Sequence, residues 1–211
     1  MSFAAGLQAH ATSHFDAPLE REAIEAIAPA LAPLFEREGA PAHRSGLYLA
    51  TSDAGAATSL RFWSEARRTG LALANPELFP WCLANAPCGA LARRFGVTGP
   101  NLSVLGQADA LLAAFDAALD ALASERIDIA IVVALVMAAD PQDGEPPGYC
   151  VGARLERAPA AVMLSFASVA SIPVATTLRR AAQALAEAAA GGPAALIVDG
   201  GRALRVGPAL A

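Results

Sequence analysis

Reactive side chains are few in this chain, and their spacing decides whether any of them could form a catalytic set. The sequence holds three cysteines and three histidines, namely Cys82, Cys88, Cys150, His10, His14 and His43. A thiol becomes a nucleophile when a base, a cation or a helix N-terminus lowers its pKa. Cys82 and Cys88 flank the start of a predicted helix, but no histidine is near either of them in the sequence. We therefore expect both to be small buried hydrophobic residues.

Several other chemistries are excluded by the sequence. All 15 basic residues are arginines, which rules out Schiff bases, lysine-bound pyridoxal phosphate and a Walker A lysine. The motifs G-x-S-x-G, G-x-G-x-x-G and H-E-x-x-H do not occur. His10 and His14, four residues apart, could share a metal ion on a helix, but no further ligands accompany them, so a flexible, solvated N-terminus is expected. No metal ion and no cofactor is predicted.

The chain is organised around the stretch from Val97 to Ala139. A short β-prone segment, Leu102 to Leu105, is followed by apolar residues at helical spacing between positions 111 and 122. Ile129 to Val136 is a continuous apolar run, typical of a strand that is buried on both faces. The pattern predicts a right-handed βαβ crossover. The turn between Val104 and Ala110 would then lie at a helix N-terminus and at the C-terminal edge of the sheet, where ligands and reactive groups collect.

Three segments of this stretch carry a family resemblance: GALARRFGVTGPNLSV, ALLAAFDAALDAL and DIAIVVAL. Together they resemble the N-terminal half of a β-ketoacyl synthase, a condensing enzyme of the thiolase fold. The resemblance implies a nucleophilic cysteine at the helix N-terminus, yet residues 105–109 read LGQAD. Gln107 holds the nucleophile position if the turn is one residue shorter than the family's, and Ala108 holds it if there is no gap. Neither side chain can carry an acyl group.

A glutamine at this place resembles the chain length factors, the inactive partners of active ketosynthases. The likeness is greatest to short subunits of bacterial polyene and aryl polyene pathways. The next acid, Asp109, is expected to be an N-cap or first-turn residue stabilised by the helix dipole rather than a catalyst.

The resemblance covers roughly Leu19 to Phe166, and it weakens beyond that point. GYCVGARLERAPAAVMLSF is similar to a hairpin of the family and predicts two paired strands, residues 149–153 and 160–166. A helix over residues 176–190 and a strand over 194–198 then resemble the opening of the family's second half. Asp199 or Gly200 would stand where that half has its first catalytic histidine, and the chain ends before a counterpart of the second one. The resemblance thus implies catalytic silence.

The predicted fold is α/β, a thiolase-like, layered α/β/α half-fold equivalent to a truncated ketosynthase. We expect a mixed sheet of about five strands with helices on both faces. Three segments are predicted: a polar, weakly patterned N-terminal segment (1–18), a domain similar to the ketosynthase N-terminal half (19–170), and a remnant of the second half (171–211). At 211 residues and 55% hydrophobic composition, the chain has room for a sizeable core.

The resemblance also implies a partner. In the family, the strand before the nucleophile turn pairs antiparallel with its counterpart in the other subunit. That strand corresponds here to Leu102, Ser103, Val104 and Leu105, next to a helix over residues 85–95. We therefore expect a heterodimer with a full-length ketosynthase, and contact with an acyl carrier protein through that complex. Phe62, Trp63 and Gln107 are the candidates for lining the acyl pocket, although either aromatic could simply be a core or interface residue.

Composition sets the remaining limits. The net charge of −5 argues against nucleic acid as a partner. The longest apolar run is too short for a membrane span, and no signal-peptide pattern is evident, so a cytoplasmic protein with reduced thiols is expected. Two alternative functions stay open: a stand-alone acyl-thioester transferase or hydrolase that uses Cys82 or Cys88, and a self-associating thiolase-fold scaffold.

Overall fold

The computed structural model describes residues 4–36, 40–137, 148–157, 162–168, 177–192, 195–199 and 202–208. Within these ranges the strands are β1 (Ala4–Phe15), β2 (Ser45–Thr51), β3 (Asn101–Leu105), β4 (Ile129–Val136), β5 (Gly148–Glu156), β6 (Val162–Ser168), β7 (Ala195–Asp199) and β8 (Arg202–Pro208). The α-helices are α1 (Glu20–Leu31), α2 (Ala56–Thr69), α3 (Ala86–Phe95), α4 (Ala108–Ala123) and α5 (Leu178–Ala189). No helix in this part of the chain is long and apolar enough to cross a membrane.

The described strands form one mixed sheet in the order β3-β2-β4-β5-β1-β6-β8-β7. β2 pairs in parallel with β3 and β4, and all other neighbours are antiparallel. The mixed sheet was predicted, but the expected number of about five strands was wrong, since the described residues form eight. The predicted hairpin was also wrong. β5 and β6 are both strands, but β1 lies between them and pairs with each.

β1 overturns the expectation of a flexible, solvated N-terminus. It runs antiparallel to β5 from Gly6 to Phe15, with an irregularity between Leu7 and Ala9. Exposed residues alternate with less exposed ones from Gln8 to His14, which is the period of two expected for a strand. The less exposed positions are mostly alanines, whose small side chains give a weak hydrophobic signal in the sequence. The division of the chain at residues 18 and 170 stays a prediction.

Helices cover both faces of the sheet, as predicted. On one face, α4 and α5 pack on residues such as Tyr48, Ala50 and Val132. On the other, α1 and α3 pack on alternate strand residues such as Leu47 and Leu49. The central strand β4 is buried at all eight positions, which confirms the interpretation of its continuous apolar run.

The predicted βαβ unit is also confirmed. The chain leaves β3, returns through α4 and enters β4, and β2 lies between the two strands, parallel to both. The C-terminal ends of β2, β3 and β4 therefore lie at one edge of the sheet. The turns that follow them, at residues 52–55, 106–107 and 137, are brought together there and form the candidate site.

Candidate functional site

Hydrogen bonds link the three turns at this edge of the sheet. The backbone N–H of Gly106, after β3, donates to the carbonyl oxygen of Thr51 at the end of β2, at 3.0 Å. The backbone N–H of Met137, after β4, donates to a carboxylate oxygen of Asp53 at 3.3 Å. The Gly106 bond therefore fixes the turn before α4 to the end of β2, and the Met137 bond joins the turns that follow β2 and β4.

The start of α4 is the position at which the family resemblance implies a nucleophile. Gln107 is the residue that precedes the helix, Ala108 is its first residue, and Ala108 is buried. The carboxylate of Asp109 accepts a hydrogen bond from the Gln107 backbone N–H at 2.7 Å, so it is the first-turn acid that was expected. A Cβ on Gly106 would lie 2.8 Å from the Asp109 carboxylate, so this turn fits a glycine best.

The Gln107 side chain is engaged with a neighbouring helix. Its Oε1 accepts a hydrogen bond from the backbone N–H of Leu178, the first residue of α5, at 3.4 Å. The Thr177 hydroxyl accepts a second bond, from the Arg180 N–H of the same helix. The Gln107 amide oxygen thus satisfies a free N–H group at the start of α5, while the Gln107 backbone precedes α4. It cannot form an acyl intermediate, and neither can the methyl group of Ala108.

The start of α2, which follows β2 at the same edge, is arranged differently. The buried carboxylate of Glu20 accepts hydrogen bonds from the backbone N–H groups of Gly55 at 2.7 Å and Thr58 at 3.1 Å. It also accepts a short hydrogen bond from the Thr58 hydroxyl. A carboxylate at a helix N-terminus satisfies the free N–H groups and interacts favourably with the helix dipole.

Glu20 was missed in the sequence, although a signal was present. It precedes Ile24, Ile27 and Leu31 on the spacing of one helical face, and all four residues are buried. An acid within an apolar stripe is costly unless a partner satisfies it. That conflict could have marked Glu20 as a structural anchor. Beside it, burial raises the pKa of the Asp53 carboxyl above its ordinary value, and the hydrogen bond from Met137 offsets part of that effect.

The cysteines are arranged as buried or half-buried thiols. All three are free. Burial raises the pKa of Cys88 to about 11 and that of Cys150 to about 12, so neither is a thiolate near neutral pH. The Cys88 thiol donates to the Leu102 carbonyl oxygen at 3.4 Å. Cys82 is half-buried, and its thiol donates to the Leu78 carbonyl oxygen at 3.5 Å. The expectation of full burial is therefore met by Cys88 and not by Cys82.

The two candidate pocket aromatics differ in exposure. Phe62 is buried and packs in a small cluster with Ala66 and Ala74, whereas Trp63 is 58% exposed. The two rings meet edge to face with centroids 5.7 Å apart. Neighbouring residues on one helix thus divide into a core residue and a surface residue, and only Trp63 is free to contact another molecule.

Large apolar side chains are exposed on one part of the chain. Those in the described residues belong to α2, the segment after it, and β3: Leu60, Trp63, Leu71, Leu73, Phe79, Leu83, Leu102 and Leu105. Among the described strands, β3 is the last at one end of the sheet, so its outer N–H and C=O groups have no described strand beside them. Exposed apolar residues beside an unpaired strand edge are typical of an interaction surface.

The histidines and Asp199 lie apart from this site in the fold. His10 and His14 are exposed on β1, where residues four apart are separated by about 13 Å, so the two cannot share one metal ion as they could on a helix. The His14 ring lies 4.9 Å from the Tyr149 ring. Asp199 is the last residue of β7 and pairs in register with Arg202 of β8, a strand that was not predicted. Gly200 lies outside the described residues.

Comparison with solved structures shows the same fold in ketosynthase complexes. The chain is similar to the ishigamide ketosynthase/chain length factor, with 20% identity, 79% of this chain and 55% of that chain covered, and a TM-score of 0.57. It is similar to the ketosynthase ApeO in complex with its chain length factor ApeC from Xenorhabdus doucetiae, with 11% identity, coverage of 91% and 78%, and a TM-score of 0.58. It is also similar to AntDE:AntF, a type II polyketide synthase acyl-carrier protein in complex with its ketosynthase, with 14% identity, coverage of 74% and 50%, and a TM-score of 0.55.

At these identities the likeness shows the fold, which is thiolase-like. The chain spans about half the length of two of these relatives and 78% of the third. A search of curated proteins finds no match. The model of the β-ketoacyl synthase N-terminal domain matches residues 14–145, which is more than half of the chain. The protein therefore belongs to the family of the β-ketoacyl synthase N-terminal domain.

Proposed function

We propose that this chain is a non-catalytic, ketosynthase-like subunit of the chain length factor type. In this account it pairs with an active β-ketoacyl-carrier-protein synthase in the cytoplasm and shapes that enzyme's acyl pocket during fatty acid or polyketide, in particular polyene, elongation. The observation that carries the proposal is the start of α4. The family resemblance implies that Gln107 or Ala108 holds the nucleophile position there, and the Gln107 amide accepts a hydrogen bond from Leu178 of α5.

Two further observations support the proposal. The solved structures that share this fold include complexes described as a ketosynthase with its chain length factor. Both buried thiols of the described residues have raised pKa values, about 12 for Cys150 and about 11 for Cys88, and the Cys88 thiol donates to a backbone carbonyl. Its environment favours the neutral thiol, which counts against a stand-alone transferase or hydrolase.

The proposed interface is β3 with α3 beside it. Leu102 and Leu105 are exposed on an end strand of the sheet, where a partner's strand could add in antiparallel orientation. Backbone pairing would supply the hydrogen bonds, and the two leucines would supply apolar area. The Ser103 hydroxyl on the same strand is buried and lies next to the Cys88 thiol.

The proposed role in chain length belongs to Trp63 rather than Phe62. Because Phe62 is buried within its own cluster, its ring acts by supporting Trp63. The exposed Trp63 ring is the one that could reach a partner's acyl tunnel and limit its length. Trp63→Ala should therefore lengthen the products, and Phe62→Ala should reduce the stability of the α2 region first.

Co-expression with the ketosynthase encoded in the same gene neighbourhood tests the proposal. A tagged chain should retain the ketosynthase, and the double variant Leu102→Asp/Leu105→Asp should lose it, because two charges would be placed at a paired strand edge. The matched control is Leu71→Asp/Leu73→Asp, which charges two leucines outside β3 that are more exposed (64% and 73%) than Leu102 and Leu105 (39% and 53%). Failure of the unaltered chain to retain any ketosynthase would contradict the proposed function, and equal losses from both pairs would contradict β3 as the interface.

A further inference from the structure

A groove beside α3 is lined by three arginines and one tryptophan. It lies between α1, the 3-10 turn Phe79–Cys82 and the end of α3, with a volume of about 320 Å³. Its lining includes Arg21 and Glu25 from α1, Trp81 from the 3-10 turn, and Arg93 and Arg94 from the last turn of α3. Its volume lies at the lower end of the range for small-molecule sites.

The charge of this groove is opposite to that of the whole chain. Three arginines and one glutamate line it, although the protein has a net charge of −5. Glu25 lies 3.4 Å from Arg21, so that pair is internally compensated. Within the described ranges, neither Arg93 nor Arg94 has a carboxylate within ion-pair distance. Two exposed guanidinium groups therefore face the groove with no anion of the protein's own.

The helix dipole alone does not account for these arginines. Basic residues in the last turn of a helix interact favourably with its C-terminus, and α2 ends with the similar pair Arg67 and Arg68. That second pair lines neither this groove nor the adjoining one. The feature peculiar to Arg93 and Arg94 is their position opposite Arg21 and beside the half-buried indole of Trp81.

A second, smaller groove continues from the first. Its volume is about 180 Å³, and it shares Arg21 and Trp81 with the first groove. Asn75, Thr58 and Leu78 line it, and the carboxylates of Glu22 and Glu77 balance the charges of Arg21 and Arg61. An anionic group is therefore favoured in the first groove, and an uncharged or weakly polar extension is favoured in the second.

We propose that the groove formed by Arg93, Arg94 and Trp81 binds the phosphate group of a small organic phosphate ester. Guanidinium groups present paired donors that match phosphate oxygens, and they remain charged at every physiological pH. The Trp81 indole provides an apolar wall for the adjoining part of the ligand. The confined volume favours a small ligand over an acidic segment of another protein. Arg93 and Arg94 belong to α3, which is also part of the proposed ketosynthase interface, so the inference is tested on this chain without a partner.

Tryptophan fluorescence of the full chain provides the test. The sequence has two tryptophans, so Trp63→Phe leaves Trp81 as the only reporter. This protein is titrated with glycerol 3-phosphate and with inorganic pyrophosphate, each against sodium chloride at equal ionic strength. We expect a saturable change with the phosphates, and a loss of affinity of about tenfold or more in Arg93→Gln/Arg94→Gln.

The matched control is Arg67→Gln/Arg68→Gln, which removes the same charge from the same position in another helix. It should change the affinity by less than about twofold. Three outcomes would overturn the proposal: a signal that sodium chloride reproduces, equal losses from the two arginine pairs, or binding of a polyglutamate peptide that the phosphates do not displace. The last outcome would assign the groove to an acidic protein segment instead.

Discussion

Two helices, α2 and α4, start at the same edge of the sheet, and their first turns are held in different ways. The first turn of α2 bonds to Glu20, a buried carboxylate that comes from a distant part of the sequence. At the start of α4, the exposed Asp109 accepts, among the described residues, only from the Gln107 N–H, and the Gln107 side chain accepts from Leu178 of a third helix. A buried carboxylate thus anchors one helix start, while the contacts at the other are exposed or only partly buried.

The difference separates residues that maintain the fold from residues that are free to change. Replacing the anchor of α2 leaves buried N–H groups unsatisfied, so its identity is tied to stability. Gln107 and Asp109 contribute little to stability, because water can replace their contacts. Residues at the start of α4 can therefore change without loss of the fold, which is compatible with the proposed absence of a nucleophile there.

The largest effect is expected from Glu20→Ala. This change removes three hydrogen bonds to a buried carboxylate and leaves the Gly55 and Thr58 N–H groups without acceptors, which should lower the free energy of unfolding by about 3 kcal/mol. Glu20→Gln keeps one acceptor oxygen and should lose about half as much. Urea unfolding at neutral pH measures both. A loss below about 0.5 kcal/mol in Glu20→Ala would show that this anchor is not structural.

A smaller loss in the free energy of unfolding is expected from Gly55→Ala, which tests the close contact between the Cys82 carbonyl and the start of α2. Gly55 has φ = +88°, and a Cβ there would lie 2.6 Å from the Cys82 carbonyl oxygen. We expect a loss of about 2 kcal/mol, from backbone strain together with displacement of that carbonyl. Gly191 has a similar φ of +86° with open space around it, so Gly191→Ala should cost about 1 kcal/mol. Equal losses in urea unfolding would mean that the close approach contributes nothing.

The pH dependence of stability distinguishes Asp53 from an ordinary surface acid. The pKa of Asp53 is raised in the folded protein, mainly by burial, so the unfolded chain releases this proton at lower pH than the folded chain does. Stability should therefore fall as the pH rises from the unfolded pKa towards the raised folded pKa. Asp53→Asn should remove that fall and should be the more stable protein above this window.

Asp128 is the control of opposite sign. Its hydrogen bonds with Arg44 lower its pKa in the folded protein, so its contribution is present above the unfolded pKa and is lost as the pH falls through the folded one. The free energies of unfolding of Asp53→Asn and Asp128→Asn are measured from acid to neutral pH. They should deviate from that of the unaltered protein in opposite directions. Deviations of the same sign would contradict the assignment for Asp53.

The smallest effect is expected at the start of α4. Gln107→Ala removes one long, part-buried hydrogen bond from Leu178 and should cost about 0.5 kcal/mol. Gln183→Ala, on the partly exposed side of α5, is a control for the loss of a glutamine. A loss near that of Glu20→Ala would remove the contrast between the two helix starts.

Much of this fold was predictable from the sequence because long apolar patterns specify it. The eight-residue run of β4 and the helical spacing of α4 gave their boundaries to within a few residues. β1 was missed because alanine, glycine and serine occupy most of its less exposed positions. Its insertion between β5 and β6 depends on pairing between residues more than 130 positions apart, which periodicity does not report.

The candidate site was predictable only in part. The turn before α4 was located because a strand, a turn and a helix follow one another in the sequence. The contact of Gln107 with Leu178 joins residues 71 positions apart. The hydrogen bonds of Glu20 to the start of α2 join residues 35 or more positions apart. The gathering of Arg21, Trp81, Arg93 and Arg94 around one groove depends likewise on the packing of α1 against α3.

Intact mass spectrometry of a reconstituted complex tests the central claim most directly. The complex of this chain with its partner ketosynthase is incubated with acyl-loaded carrier protein, and the mass of each polypeptide is measured. The account predicts an acyl adduct on the ketosynthase and none on this chain. It also predicts that the Gln107→Cys variant, tested on its own, forms no condensation product. An acyl adduct on this unaltered chain, for example at Cys82, would contradict the account and would favour an independent acyl-thioester enzyme.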